Sequence, residues 1–162
     1  MIADERTEAY IDSLDKGNTV FLNELEAGAK AEHVPVIKRP AQNLLKLLLA
    51  MKKPAYILEV GTATGFSALL MAEYGPADCH ITTIEKYEKR IPAAKENFKR
   101  AGREKQITLL EGEAADILDR LSKEDPESFD LIFMDAAKGQ YLRFFPSVLQ
   151  LLKKGGLLVS DN

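Results

Sequence analysis

Four short stretches of the sequence hold the residue types that could do chemistry: Glu59-Val-Gly-Thr-Ala-Thr-Gly65, Thr83-Ile-Glu85, Asp135-Ala-Ala-Lys138 and Asp161-Asn162. Gly61 and Gly65 let a backbone approach a ligand closely, and a helix starting at Ser67 would offer free N–H groups to an anion. Glu85, about one βαβ step later, can accept hydrogen bonds from two ribose hydroxyls. A nucleoside would use both features. The dinucleotide fingerprint would require glycine at Ala63 and Phe66, which sets a nicotinamide-dependent reductase aside. Asp135, Asp161 and Asn162 supply three oxygen donors. They suit one face of an octahedral Mg²⁺ or similar ion, with positions left for water and a substrate bearing adjacent oxygens.

These stretches need a frame that brings them side by side. After Pro54, short apolar runs alternate with amphipathic ones, the pattern of strands joined by helical crossovers into a parallel sheet. The pattern predicts strands at 56–60, 81–85, 107–110, 131–134 and 157–160, with helices at 67–74, 88–101, 114–121 and 141–151. Gly155-Gly156 reads as a helix stop before the last strand. Before Pro54 the chain reads helical around Tyr10, Ile11 and Leu14, then at 20–31 and 40–51. Pro35 holds the segment between the last two extended. The expected fold is an α/β doubly wound parallel sheet, with its ligand site at the carboxyl ends of the strands where the strand order reverses.

The 162 residues suit a single domain, with residues 1–53 as a helical cap on an α/β core at 54–162. Lys+Arg 22 against Asp+Glu 25 gives a net charge of -3, which argues against coating nucleic acid by bulk electrostatics. The basic residues between Lys86 and Lys105 are interleaved with glutamates and read as a solvated face laced with i,i+4 pairs. Cys79, the single cysteine, has no intrachain disulfide partner, so a reducing, cytoplasmic setting is expected. No apolar run is long enough to span a bilayer. His33, His80 and Cys79 show no ligand spacing and read as structural, and Tyr141, Phe144 and Phe145 read as helix core.

With Glu111-Gly-Glu-Ala114 after the third strand added, the Gly stretch and Thr83-Ile-Glu85 resemble the S-adenosylmethionine-binding motifs of class I methyltransferases. Asp135-Ala-Ala-Lys-Gly-Gln-Tyr141 with Asp161-Asn162 is similar to the divalent-metal-dependent O-methyltransferases of the catechol and caffeoyl-CoA type. The resemblance runs from about His33 to the last residue. It implies a Rossmann-like methyltransferase fold and S-adenosylmethionine as cofactor. The cofactor contacts it implies fall at Val36, Glu59, Gly61, Thr62, Gly65, Ser67, Glu85, Glu113, Ala114 and Asp135. It further implies a divalent cation on Asp135, Asp161 and Asn162, and Lys138 as general base.

Within that family, His33-Val-Pro-Val36 and the Asp135 motif look most like the bacterial branch that methylates 5-hydroxyuridine at the tRNA wobble position. A 5-hydroxyl beside a 4-carbonyl presents two adjacent oxygens, as catechol does. Lys38, Arg39 and the basic stretch are the residues expected to meet the anticodon stem. Small catechols or phenols form the second substrate class. The family domain normally continues past the asparagine into closing antiparallel strands. Expected alternatives are therefore a shortened, non-catalytic S-adenosylmethionine-binding protein, and a homodimer through an open fifth strand.

Overall fold

The computed structural model describes residues 5–161. Three helices come first: α1 (Glu5–Leu14), α2 (Val20–Ala31) and α3 (Arg39–Lys52). Strands and helices then alternate as β1 (Tyr56–Val60), α4 (Phe66–Tyr74), β2 (His80–Glu85), α5 (Ile91–Arg100), β3 (Ile107–Glu111), α6 (Ala114–Glu124) and β4 (Phe129–Met134). A 3₁₀ turn (Lys138–Gln140), α7 (Tyr141–Leu151) and β5 (Leu152–Ser160) complete the described chain. The strands form one parallel sheet in the order β3-β2-β1-β4-β5, the doubly wound arrangement that the alternation predicts. The order reverses between β1 and β4, which fixes where a ligand crevice opens.

Local chemistry sets the boundaries. Thr19 caps α2 by accepting from Leu22 N–H, while Pro40 sits in the first turn of α3, where a missing N–H costs nothing. α3 ends on Lys53 in the left-handed conformation, its N–H bonded to Leu49 O. The helix expected from Glu88 begins instead at Ile91. Pro92 is the cause: a helix started at Glu88 would set its ring against the Glu88 carbonyl four residues back. The last strand also differs from expectation, since β5 starts at Leu152 and runs through Gly155-Gly156. Leu152 pairs with Phe129 while Leu131 pairs with Leu157, so the extra residues bulge out of the ladder and Gly155 takes up the positive φ.

Alternation along the central strands divides the core between the two faces of the sheet. Ile57 and Ile81 pack with Leu22, Leu45, Leu49, Leu70 and Phe98 on the side of α2 to α5. Leu58, Val60, Ile84 and Ile132 pack with Leu118, Val148 and Leu151 of α6 and α7 on the other. The N-terminal helices α2 and α3 thus share one core with the sheet. α4 is buried almost all round, lying between the sheet and α2–α3, and so lacks an amphipathic face. Phe144 is core, as expected, whereas Phe145 is 44% exposed because it points away from the sheet beside Pro146. Among the described residues no helix is long and apolar enough to cross a membrane.

Candidate active site

A cavity of about 410 Å³ opens at the carboxyl ends of β1, β2 and β4, at the reversal of strand order. Its wall takes in the strap at Pro35, Val36 and Ile37, the loop from Gly61 to Thr64, and Ser67. Glu85, Lys86, Arg90, Glu113, Ala114, Asp135, Gln140, Phe144 and Asp161 complete most of the remainder. Of the residues expected from sequence, Val36, Gly61, Thr62, Ser67, Glu85, Glu113, Ala114, Asp135 and Asp161 all meet there.

Glycine at 61 is a steric requirement. Its φ is +107°, and a Cβ would lie 2.1 Å from the Asp135 carbonyl oxygen, so the loop passes directly over the end of β4. Gly61 and Thr62 both donate N–H bonds to Ile84 O at 3.0 and 3.1 Å, and Asp135 N–H donates to Val60 O at 2.9 Å. The loop is therefore tied to β2 and β4 before any ligand arrives. Gly65 serves packing instead of the cavity wall: a Cβ there would stand 2.6 Å from the Phe98 ring.

Glu85 is held by main chain. Its Oε2 accepts from Ala63 N–H at 2.7 Å, and Oε1 accepts from Lys86 and Tyr87 N–H at 2.9 and 2.8 Å. Three such bonds fix the carboxylate's direction and leave lone-pair capacity for a further donor. The Lys86 ammonium pairs with Glu113 at 3.0 Å, bridging the end of β2 to the start of α6 at the rim. The basic stretch is paired across elements instead of along α5, with Lys95 on Glu111 at 2.5 Å and Arg103 on Glu73 at 3.1 Å. Arg39 likewise turns inward, to Glu26 at 3.2 Å and Asp15 at 3.6 Å.

Glu59 lies beneath the cavity and does not line it, because alternation turns its side chain into the interior, where it is wholly buried. Thr83 Oγ1 donates to Glu59 Oε2, and the Thr62 hydroxyl lies 2.6 Å from Thr83 Oγ1. Thr83 has one proton to give, so Thr62 donates to Thr83 and a hydroxyl chain runs from the cavity wall to the acid. Burial pushes the Glu59 carboxyl up to about 7; the Ser67 and Thr83 hydroxyls oppose that rise, and the charges of Asp135 and Glu85 add to it.

At the other end, Asp135 and Asp161 share the wall. Burial, then the Asp161 charge, raises the Asp135 carboxyl to about 6. The Tyr141 hydroxyl lies between Met134 O at 3.0 Å and Asp161 O at 2.8 Å, joining the ends of β4 and β5. Lys138 opens the 3₁₀ turn, and its neighbours Ala137 and Gln140 line the cavity. Asn162 lies outside the described residues. Among the described residues, no cluster of three or more His, Cys, Asp or Glu side chains is placed to hold a metal ion. Two hard carboxylate oxygen donors on one wall, with the Asp135 carboxyl raised beside Asp161, do suit part of a divalent cation's shell. Cys79 is buried and His80 bonds Thr108 Oγ1 at 2.9 Å, away from this cavity.

Residues 13–162 match the family model described as O-methyltransferase. The chain belongs to the O-methyltransferase family. The enzyme class implied by the motifs, an S-adenosylmethionine-dependent O-methyltransferase, is the class of this family. The catechol O-methyltransferase of Niastella koreensis is 34% identical over 160 residues, 98% of this chain and 72% of that protein. The caffeoyl-CoA O-methyltransferase of Populus kitakamiensis is 35% identical over 123 residues, covering 73% of this chain and 51% of that protein. The chain thus spans about half the length of that plant relative. The crystal structure of the Bacillus cereus O-methyltransferase in complex with SAH superposes with a TM-score of 0.85 at 27% identity, over 97% of this chain and 72% of that one.

The wall also contains residues that sequence reasoning did not single out. Pro35 and Ile37 flank Val36, and Arg90 comes from a stretch read as plain surface. The signal for Arg90 was its place just past the end of β2, five residues beyond Glu85.

Proposed function

We propose that this O-methyltransferase binds S-adenosylmethionine between the strap, the glycine loop and Glu85, and transfers its methyl group to a small acceptor with two adjacent oxygens, of the catechol type. The observation that carries the reading is the convergence of Gly61, Glu85 and the Asp135–Asp161 pair on one cavity. The relative named catechol O-methyltransferase, matched over nearly the whole chain, supports the acceptor class.

In this reading the donor's ribose hydroxyls donate to the lone pairs left free on Glu85, and its adenine lies beside Glu113 and Ala114. Asp135 and Asp161, with Asn162 by resemblance, would hold a divalent cation. When bound, that cation supplies positive charge that favours the ionised form of the acceptor hydroxyl. Lys138 takes the hydroxyl proton. The acceptor oxygen then attacks the methyl carbon in line, the O–C bond forming as the C–S bond breaks, and adenosylhomocysteine leaves. The protein's task is alignment and deprotonation, since the sulfonium is already a good leaving group.

The test is methyl transfer from labelled S-adenosylmethionine to catechol and caffeate with Mg²⁺ present. Methylated product supports the reading. Binding of the donor without turnover of either compound would favour a non-catalytic binding protein.

The second reading is 5-hydroxyuridine of tRNA. It is favoured by the cations Lys86 and Arg90 on the cavity wall and by exposed Lys38 beside the strap. Binding of tRNA that weakens steeply with salt would select it. The inward pairing of Arg39 and the cross-element pairing of Lys95 and Arg103 count against a broad basic face. We also propose self-association along the outer side of β5, which is an edge of the sheet; a monomer by light scattering would contradict it.

A further inference from the structure

The strap at residues 34–38 has no regular secondary structure, yet Pro35, Val36 and Ile37 form part of the cavity wall. The helices on either side are locked together. Arg39 at the start of α3 reaches Glu26 of α2 at 3.2 Å, and also Asn23 at 3.0 Å. The strap is tied at both ends. At one end Val34 N–H donates to Ala29 O at 2.8 Å. At the other, Ile37 is buried in the core, Gln42 N–H donates to Lys38 O at 2.9 Å, and Gln42 Nε2 donates to Ile37 O at 2.8 Å.

Gln42 is 0% exposed, an uncommon place for a neutral polar side chain unless its amide is used. Both ends are. Its Oε1 accepts from Asn18 Nδ2 at 2.8 Å, so the amide is held between the α1–α2 linker and the strap. The orientation is forced, because the Ile37 carbonyl can only accept and the amide nitrogen must face it. Gln42 is absent from the cavity wall. Its side chain's one link to the cavity is the main chain of Ile37, next to Val36.

We infer that Gln42 is a positioning residue for the methyl donor, setting donor affinity by fixing the strap through the Ile37 carbonyl. The inference rests on the reading of the cavity as the donor site. Without the amide, Ile37 O loses its buried donor, and the strap loosens between its Val34 tie and the Lys38 carbonyl, which the Gln42 main-chain N–H still holds. The donor must then pay the ordering cost on binding.

Isothermal titration with adenosylhomocysteine tests this on the full chain, using wild type, Gln42→Leu and Gln42→Glu, with thermal melts alongside. Gln42→Leu should raise Kd about tenfold, the loss of roughly one buried hydrogen bond. In Gln42→Glu the ionised carboxylate repels Ile37 O, so binding is weak near pH 8. Near pH 5 the buried carboxyl is protonated and donates again, and its Kd should return to within about threefold of wild type at that pH. Variants that melt earlier but bind within about twofold of wild type at both pH values would overturn the inference, leaving Gln42 a structural residue. If Gln42→Leu does not fold, the pH recovery of Gln42→Glu decides alone. Wild type that fails to bind adenosylhomocysteine would overturn the donor-site reading and this inference together.

Discussion

The two ends of the cavity are finished in different ways. At the glycine-loop end the polar groups already have protein partners: Glu85 accepts three main-chain N–H bonds, Gly61 and Thr62 are bonded to Ile84 O, and Thr62 leads through Thr83 to Glu59. At the β4–β5 end, Asp135 and Asp161 sit together with like charge, and the Asp135 carboxyl is raised to about 6. The first end is preorganised by folding. The second sets two carboxyl groups of like charge side by side, an arrangement that a positive partner would stabilise. A methyl donor that arrives already activated needs only a shaped receptor, whereas an acceptor hydroxyl needs its proton removed.

Changes at the two ends should therefore fail differently. The largest effect is expected at the acceptor end: Lys138→Ala should lower kcat by about 10²- to 10⁴-fold while adenosylhomocysteine binds as before. Unchanged turnover would remove Lys138 as the base. At the donor end, Glu85→Ala should raise the Kd for adenosylhomocysteine about 10- to 100-fold, since it removes the proposed ribose acceptor and the anchor on Ala63 N–H together. A Kd that stays put while kcat collapses would erase the contrast between the ends.

A smaller effect sharpens the boundary between them. The Glu59 carboxyl, raised from 4.5 to about 7 in the fold, holds its proton more tightly folded than unfolded. Its contribution to stability is thus fully present below about 4.5 and is lost as pH rises through about 7. Glu59→Gln should flatten the fall in Tm between those limits, and parallel pH profiles for the two proteins would refute the assignment. The smallest effect is expected at the rim. Lys86 and Glu113 are 63% and 54% exposed, so Lys86→Ala should change donor affinity by less than about fivefold.

What could be read from sequence follows the range of the interactions involved. Gly61 and Glu85 could be recognised because a tight turn and a strand-end acid are local demands on residue type. Asp135 could be recognised for the same reason. The start of α5 was misplaced, although Pro92 carries the local information to place it. The start of β5 could not be placed from pattern, because its bulge is set by pairing with Phe129 and Leu131 on another strand. Gln42 is out of reach for a related reason: on its helix it reads as one polar residue among leucines, and half of its amide is satisfied by Asn18, 24 residues earlier. Glu59 was placed on the cavity wall by its motif, but the alternation of β1 turns it inward to Thr83.

In the proposed function, folding completes the donor end and a cation completes the acceptor end. Its most direct test measures adenosylhomocysteine affinity and catechol methylation on one preparation, first in EDTA and then with excess Mg²⁺. The account predicts the same Kd in both conditions, with methylation abolished in EDTA and restored by Mg²⁺. Full-rate methylation in EDTA, or a Kd that collapses there, would contradict it.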